Sequence, residues 1–229
     1  SSTQALIIFT CKSIGLFLRG IKMSKEFDLD SAYEINGTED AKRVYSDWAE
    51  SYEGSLVAEM GYVAPRRIAD LYLENSTDKS PVLDIGAGTG LLGQYLEGLT
   101  VDAIDITPAM LDIAREKRIY RELIIGDLTK RLPIHDETYS GIVSCGTFTH
   151  GHVGPECFPE LLRITKPGSL FCCGTIYPVF DGLGFGSTLA NLVSRGKISP
   201  VDFSEIDIYD KDDHAHAEDK GIVMIFRKL

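Results

Sequence analysis

The stretch that decides the fold is Val82-Leu83-Asp84-Ile85-Gly86-Ala87-Gly88-Thr89-Gly90, a short apolar run that ends in three glycines separated by single residues. An apolar run of this length, bounded by turn-forming residues, is typical of a buried strand. Glycines let the chain turn tightly and let a ligand approach the main chain closely. The stretch therefore predicts a strand followed by a ligand-binding loop at its carboxyl end, where open α/β sheets bind ligands.

Strands and helices alternate downstream of this loop. We predict strands over residues 101–105, 123–125, 141–145 and 169–177, and helices over residues 91–96, 108–117 and 155–164. Neighbouring parallel strands need a crossover connection, which a helix supplies. The pattern therefore predicts an α/β fold with a mostly parallel sheet and helices on both faces.

The end of the chain breaks this alternation. Residues 184–195 are predicted to be helical, whereas residues 203–209 and 222–227 are strand-like and are joined by a polar, charged stretch. Because no apolar helix fits between them, these two strands should pair antiparallel. The predicted sheet thus has seven strands and finishes in a C-terminal antiparallel hairpin.

A helical cap precedes the first strand. Thr38 can begin a helix in which Val44, Trp48 and Tyr52 share one face, and a second helix is predicted over residues 65–73. Such a cap lies next to the first strand in the chain, so it can close over the loop that follows that strand.

The chain is expected to hold a single domain over residues 24–229, with the short N-terminal helical cap at 24–78. We interpret residues 1–23 as an upstream or disordered segment, because Met23 resembles a natural start, and a targeting segment is the weaker alternative. The apolar stretch 5–18 within it is too short to span a bilayer comfortably.

Charge and cysteine content bound the function. The chain has 23 Lys and Arg against 34 Asp and Glu, a formal net charge of −11, which disfavours binding to phosphate backbones and anionic membranes. Its five cysteines are odd in number and form no C-x-x-C pair. This is unlike a secreted disulfide framework, so we expect a cytoplasmic protein.

The glycine spacing favours a nucleoside ligand. A dinucleotide site has the pattern G-x-G-x-x-G, but Leu91 stands where its third glycine would be. Asp84 precedes the glycines and would repel a pyrophosphate, whereas it suits a cationic amine. An NAD-linked dehydrogenase is therefore the weaker alternative.

Two more carboxylates follow successive predicted strands. Asp105 ends the second strand, 19 residues after Gly86, where a carboxylate can accept hydrogen bonds from ribose hydroxyls. Asp127 ends the third strand and could accept a hydrogen bond from an adenine amino group, with Leu128 and Met110 against the ring. Three acids at the ends of three strands predict a nucleoside site along one edge of the sheet.

The segments VLDIGAGTG (82–90), IDITPAML (104–111), IIGDL (124–128) and ELLRITKPGSLF (160–171) resemble the successive motifs of class I S-adenosylmethionine-dependent methyltransferases. This resemblance implies a Rossmann-like fold, S-adenosyl-L-methionine as the cofactor and methyl transfer as the activity. More narrowly, DWAESYE (47–53) is similar to the methyltransferase-like protein encoded in the Williams–Beuren syndrome region and its bacterial relatives.

The resemblance also implies which residues bind the cofactor. The loop and the strand ends would hold its methionyl, ribose and adenine parts, and the N-terminal helix would close over it. The implied residues are Trp48, Tyr52, Asp84, Gly86, Ala87, Gly88, Asp105, Ile106, Asp127, Leu128 and Cys145, beside Met110 from the argument above.

A general base, where the acceptor needs one, is predicted at His150 and His152, just past the fourth strand. No metal is expected, since His214 and His216 fall in a polar loop that does not preorganise ligands. The alternative to an enzyme is a non-catalytic protein that binds S-adenosylmethionine or S-adenosylhomocysteine.

The expected acceptor is a small molecule. The residues after the fourth strand, Cys145-Gly146-Thr147-Phe148, lack the N/D-P-P-Y/F tetrad of enzymes that methylate amino groups of nucleic acids. Together with the acidic charge, this predicts no nucleic-acid partner. We further expect no membrane association, and a monomer or a homodimer.

Overall fold

Seven strands organise the chain in a computed structural model that describes residues 38–49, 51–77, 81–149 and 153–229. They are β1 (Val82–Ile85), β2 (Val101–Asp105), β3 (Leu123–Ile125), β4 (Tyr139–Phe148), β5 (Thr165–Ile176), β6 (Asp202–Asp207) and β7 (Lys220–Arg227). They form one sheet of order β3-β2-β1-β4-β5-β7-β6. The first five strands pair in parallel, and β7 pairs antiparallel with both β5 and β6. The predicted fold class, including the C-terminal hairpin, is confirmed.

Six α-helices accompany the sheet within the described residues. They are α1 (Thr38–Trp48), α2 (Ala64–Asn75), α3 (Pro108–Lys117), α4 (Phe158–Ile164), α5 (Tyr177–Gly182) and α6 (Phe185–Ser194). A π-helical segment, Gly54–Glu59, lies between α1 and α2. Among the residues described, no helix is long and apolar enough to cross a bilayer.

The core lies on both faces of the sheet because successive strand residues point to opposite sides. Cys172 belongs to the core on the α2 face, whereas Cys173 belongs to the core under α4 and α6. Val82 and Leu83 divide in the same way. Helices therefore cover both faces, as the near-continuous apolar strands predicted.

The strand order reverses between β1 and β4. The chain runs outward from β1 to β3 and then crosses back to place β4 on the other side of β1. Such a switch point leaves a crevice at the carboxyl ends of the two central strands, where ligands bind in open α/β sheets.

One predicted element is wrong: residues 91–96 form turns and a single 3₁₀ turn at Gly93–Tyr95, not an α-helix. A Cβ atom at Gly93 would lie 2.3 Å from the hydroxyl of Tyr120, so the packing of that ring requires glycine here. Glycine costs a helix interior about 1 kcal/mol relative to alanine. The glycine thus serves tertiary packing at the expense of local helicity.

Residues 1–23, which we interpreted as an upstream or disordered segment, lie outside the described residues, as do residues 24–37 of the predicted cap.

Candidate functional site

Two neighbouring cavities lie where β1, β2, β4 and β5 end. The first, here named the glycine-loop cavity, has a volume of about 750 Å³ including its open mouth. It is lined by Tyr45, Tyr52, Gly86, Gly88, Asp105, Ile106, Thr107, Met110, Gly126, Asp127, Leu128, Cys145, Gly146, Thr147 and Val153. A smaller cleft continues it past Ala87 to Asp84.

The glycines after β1 are required by the backbone and by their surroundings. Gly86 has a φ of +62°, and a Cβ atom there would lie 2.1 Å from the side-chain oxygen of Thr147. Gly88 has a φ of +55°, but a Cβ atom there would meet nothing within 4 Å. The main chain at Gly88 is therefore open on the side of the cavity, which leaves room for a ligand to approach it.

Asp105 fixes this loop from the end of β2. Its carboxylate accepts hydrogen bonds from the backbone N–H groups of Gly88, at 2.8 Å, and Thr107, at 2.7 Å. Burial raises the pKa of Asp105, and these backbone donors oppose that rise. The side chain thus connects the loop after β1 with the start of α3 while it lines the cavity.

Asp84 is almost fully buried, and the hydroxyl of Tyr120 donates a hydrogen bond of 2.6 Å to it. Burial raises the pKa of Asp84 to about 7, with a smaller rise from the nearby Asp105, while the hydrogen bonds from Tyr120 and from the backbone of Gly93 lower it. The carboxylate would therefore gain from a cation placed beside it. Nothing in the local sequence links Tyr120 to this site, since the two residues are 36 positions apart.

Asp127 lies at the other end of the cavity, after β3. It accepts hydrogen bonds from the backbone and the hydroxyl of Thr129, at 2.9 and 2.6 Å, and pairs with Lys130 at 3.1 Å. Burial raises the pKa of this carboxyl group, but the hydrogen bonds outweigh burial and the net pKa is lowered. The side chain is therefore a fixed, ionised acceptor beside Leu128.

The N-terminal cap contributes a different aromatic residue than expected. Trp48 is buried and packs edge-on against Tyr45 with ring centroids 5.8 Å apart, but it does not line either cavity. The predicted Tyr52 and the unpredicted Tyr45 both line the two cavities. An ion pair between Glu53 and Lys117 ties this part of the cap to α3.

The second cavity, here named the tyrosine cavity, has a volume of about 760 Å³ including its open mouth, and Tyr45, Tyr52, Cys145 and Gly146 line both cavities. It is further lined by Leu56, Tyr62, Ala64, Ile68, Thr149, Gly174, Thr175, Ile176, Ile206, Ile208, Tyr209 and Gly221. Sequence reasoning missed this site because its walls come from segments far apart in the chain.

Cys145 lies in the wall between the cavities and is a protonated thiol. Its sulfur lies 3.0 Å from the hydroxyl of Tyr62, and burial raises the pKa of the thiol to about 12. The predicted bases His150 and His152 lie outside the described residues, so their role stays a prediction.

A parallel sheet with an antiparallel end and a glycine-loop cavity at its switch point defines the class I S-adenosylmethionine-dependent methyltransferase fold. Residues 83–173 match the methyltransferase domain family. The solved structure of a TehB-like S-adenosylmethionine-dependent methyltransferase from Corynebacterium glutamicum has the same fold: TM-score 0.57, 20% identity, covering 81% of this chain and 98% of that one.

The matches to curated relatives cover shorter stretches of this chain than the match to the solved structure does. The 18S rRNA (guanine-N(7))-methyltransferase of Bos taurus is 45% identical over 65 residues, 28% of this chain and 23% of that protein. The malonyl-[acyl-carrier protein] O-methyltransferase of Serratia marcescens is 30% identical over 97 residues, 42% of this chain and 38% of that protein. The matched segments thus span less than half of these relatives' length.

Residues 83–173 thus match a methyltransferase domain, and the fold is that of class I S-adenosylmethionine-dependent methyltransferases, which implies S-adenosylmethionine as the cofactor. The site fits that group, since the open main chain at Gly88 and the carboxylates of Asp105 and Asp127 face one cavity, and Asp84 faces the cleft that continues it. The narrower similarity to the Williams–Beuren region protein is not confirmed.

The prediction that excluded a nucleic-acid partner is wrong. Relatives from Bos taurus and Mus musculus are rRNA (guanine-N(7))-methyltransferases. The net charge of −11 is an average over the chain, whereas nucleic acids respond to local charge. Here Arg115, Arg118 and Arg121 line one surface depression, so an acidic chain can still present clustered cations.

Proposed function

We propose that this chain transfers a methyl group from S-adenosylmethionine bound in the glycine-loop cavity to an acceptor in the tyrosine cavity. The observation that carries the proposal is that the two cavities adjoin, since Tyr45, Tyr52, Cys145 and Gly146 line both of them. When bound, S-adenosylmethionine supplies a methyl group on a positively charged sulfur, and the electron pair of the broken bond stays on that sulfur. The protein's task is to hold an acceptor in line with that bond.

In this proposal, each group of residues binds the part of the cofactor that suits its chemistry. Asp105 accepts hydrogen bonds from ribose hydroxyls, and Ile106 and Met110 pack near the base. Asp127 accepts from the adenine amino group, with Leu128 against the ring. The open main chain of the 86–88 loop and the carboxylate of Asp84 take the amino-acid end, which carries an ammonium group.

Titration calorimetry with S-adenosylmethionine tests the part of the proposal that concerns cofactor binding. Asp105→Ala should weaken binding by about 10- to 100-fold, since hydrogen bonds to a carboxylate contribute about 1.5–3 kcal/mol. The matched control is Asp112→Ala, because Asp112 is an exposed acid on α3 that pairs with Arg115 outside the cavity. Equal affinities for the two variants would refute the assigned role of Asp105.

Turnover separates an enzyme from a protein that only binds the cofactor. Wild-type protein with S-adenosylmethionine should form S-adenosylhomocysteine when one fraction of a cell extract is added, and the fractions should be low-mass compounds, proteins and RNA tested separately. The active fraction identifies the acceptor, and the small-molecule acceptor expected from the sequence stays a prediction until then. Tight cofactor binding without product in all three fractions would favour the non-catalytic alternative.

A proton acceptor at His150 and His152 is part of the proposal by position. Thr149, the residue before His150, lines the tyrosine cavity. The double variant His150→Ala/His152→Ala should lower kcat with the true acceptor about 100-fold, the usual contribution of a general base, and an unchanged kcat would remove both residues from the mechanism. Cofactor affinity serves as the control, since it should not change.

A further inference from the structure

Among the residues that the structure describes, the wall of the tyrosine cavity carries no formal charge. Its sixteen lining residues include no Asp, Glu, Lys, Arg or His among the residues the structure describes. Burial raises the pKa of Tyr52 and Tyr62 well above their ordinary value and that of Cys145 to about 12, so all three are neutral at physiological pH. A charged group entering this cavity would lose its hydration without gaining an ionic partner, which is costly.

The polar groups of the wall are largely engaged with the protein. The hydroxyl of Thr175 donates to the carbonyl of Phe148 at 2.8 Å, and that of Thr149 donates to the carbonyl of Gly146 at 3.1 Å. The Tyr62 hydroxyl lies against the sulfur of Cys145. The cavity therefore recognises shape and apolar surface more than ionic charge.

Contacts with neighbouring side chains hold the aromatic rings of the tyrosine cavity in place. Tyr62 and Tyr209 pack with centroids 5.7 Å apart, and His214 packs edge-on against Tyr209 at 4.9 Å. A ring nitrogen of His214 lies 3.2 Å from the carbonyl of Met60, which links the β6–β7 connection to the cap. Rings fixed in this way are preorganised walls that favour a flat ligand, since little side-chain entropy is lost on binding.

The cap and the hairpin close the cavity by backbone pairing. The N–H of Val63 donates to the carbonyl of Ile208 at 2.9 Å, and the N–H of Asp210 donates to the carbonyl of Gly61, also at 2.9 Å. The walls from the two ends of the chain are thus one connected structure rather than two independent surfaces.

We propose that the tyrosine cavity binds an uncharged, planar ring that carries the nucleophile. The ring would present this nucleophile where the tyrosine cavity adjoins the glycine-loop cavity. This inference rests on the proposed function, since it names the chemistry of the acceptor for the same site. The ring can belong to a free compound or to a base within RNA, and the two sources share this chemistry.

The test compares three naphthalene probes on wild-type protein saturated with S-adenosylhomocysteine at neutral pH. They are neutral 2-naphthol, anionic 2-naphthoate and cationic 2-naphthylmethylammonium, with affinities measured by calorimetry. The neutral probe should bind at least about tenfold more tightly than either charged one, because the cavity offers no counter-charge. Equal or tighter binding of a charged probe would overturn the inference.

Variants of Ile176 locate the binding. Ile176 lines only the tyrosine cavity and is partly exposed, so Ile176→Lys places a cation in the wall. This change should weaken 2-naphthol about tenfold and strengthen 2-naphthoate, whereas the neutral Ile176→Met should keep the wild-type preference. The matched control is Ile125→Lys on β3, which is 61% exposed and lines neither cavity, and should change neither affinity.

The outcomes separate the inference from the proposed function. Failure of the wild type to bind S-adenosylhomocysteine would refute the proposed function, whereas normal cofactor binding with no neutral preference would refute the inference alone. An unchanged probe preference in Ile176→Lys would also refute it, because binding would then lie elsewhere. Displacement of 2-naphthol by a guanosine-containing RNA oligonucleotide, or by free nucleosides only, distinguishes the two sources of the ring.

Discussion

The two cavities differ in how the chain builds them. The glycine-loop cavity takes most of its walls from short segments that each follow one strand, at 86–88, 105–107 and 126–128. The tyrosine cavity takes its walls from residues between Tyr45 and Gly221, on the cap, β4, β5 and the hairpin. The first is therefore readable from local motifs, and the second exists only after the two ends of the chain have come together.

They also differ in charge. Carboxylates line the glycine-loop cavity and its cleft, whereas hydroxyls, aliphatic groups and one thiol line the tyrosine cavity. In our proposal, fixed polar groups therefore hold the cofactor, while shape selects the acceptor. Four substitutions test this difference between the cavities.

Gly86→Ala should destabilise the protein most. It adds a side chain at positive φ, and that side chain would collide with Thr147, so about 2–5 kcal/mol of folding free energy should be lost. Gly98→Ala is the matched control, since Gly98 also has a positive φ but its Cβ atom would meet nothing within 4 Å. Denaturant titration measures both, and similar losses would show that the contact with Thr147 is unimportant.

Tyr120→Phe should weaken cofactor binding about tenfold near neutral pH, because Asp84 loses its donor and is protonated more easily. The groups that face Asp84 are Tyr120, Asp105, Cys145 and the backbone N–H of Gly93. A cationic ligand favours the ionised carboxylate, so wild-type affinity should rise as the pH passes through about 7. The variant's midpoint should lie higher, and its deficit should shrink in alkaline buffer.

The pH dependence of folding stability has the opposite sign to that of cofactor affinity. Because the folded-state pKa of Asp84 lies above the unfolded value, folding without ligand is favoured most below pH 4 by this group and less as the pH rises to about 7.

Calorimetric binding isotherms across this pH window measure the effect of Tyr120→Phe on cofactor affinity, with Tyr95→Phe as the control because Tyr95 is an exposed tyrosine outside the site. A pH-independent affinity in the wild type would remove Asp84 from cofactor recognition.

His214→Ala should affect only the tyrosine cavity. Loss of the edge-on contact with Tyr209 and of the link to Met60 should weaken 2-naphthol about threefold, in line with roughly 0.5–1.5 kcal/mol for an aromatic pair. The affinity for S-adenosylhomocysteine should stay the same. An equal loss for both ligands would mean that the two cavities are not independent. His216→Ala is the control, since His216 contacts Asp219 in the same connection.

Lys130→Ala should have the smallest effect. Lys130 pairs with Asp127, but its side chain is 76% exposed, so the pair contributes about 0.5 kcal/mol and is screened by salt. Cofactor affinity should change by about twofold at low salt and not at all at high salt. A large, salt-resistant loss would show that Lys130 itself contacts the ligand.

The sequence features that line the glycine-loop cavity could be recognised because each of them is local. The run before Gly86 is a strand since it is apolar and bounded by glycines, and the carboxylates after β2 and β3 reach one edge because parallel strands end there. The predicted helix at 91–96 failed because the ring of Tyr120, distant in sequence, requires glycine at position 93. Tyr45 could not be separated from Trp48 because both lie on α1, and only packing decides which one faces the cavities.

The sequence by itself determined the succession of the seven strands, the antiparallel end of the sheet and the place of the glycine loop, since these depend on hydrophobic period and backbone conformation along short segments. The tertiary structure decided that Tyr120 reaches Asp84, that Tyr45 rather than Trp48 lines the cavities, and that cap and hairpin join into an uncharged pocket. Those outcomes depend on contacts between residues far apart in the chain, and no local pattern encodes them.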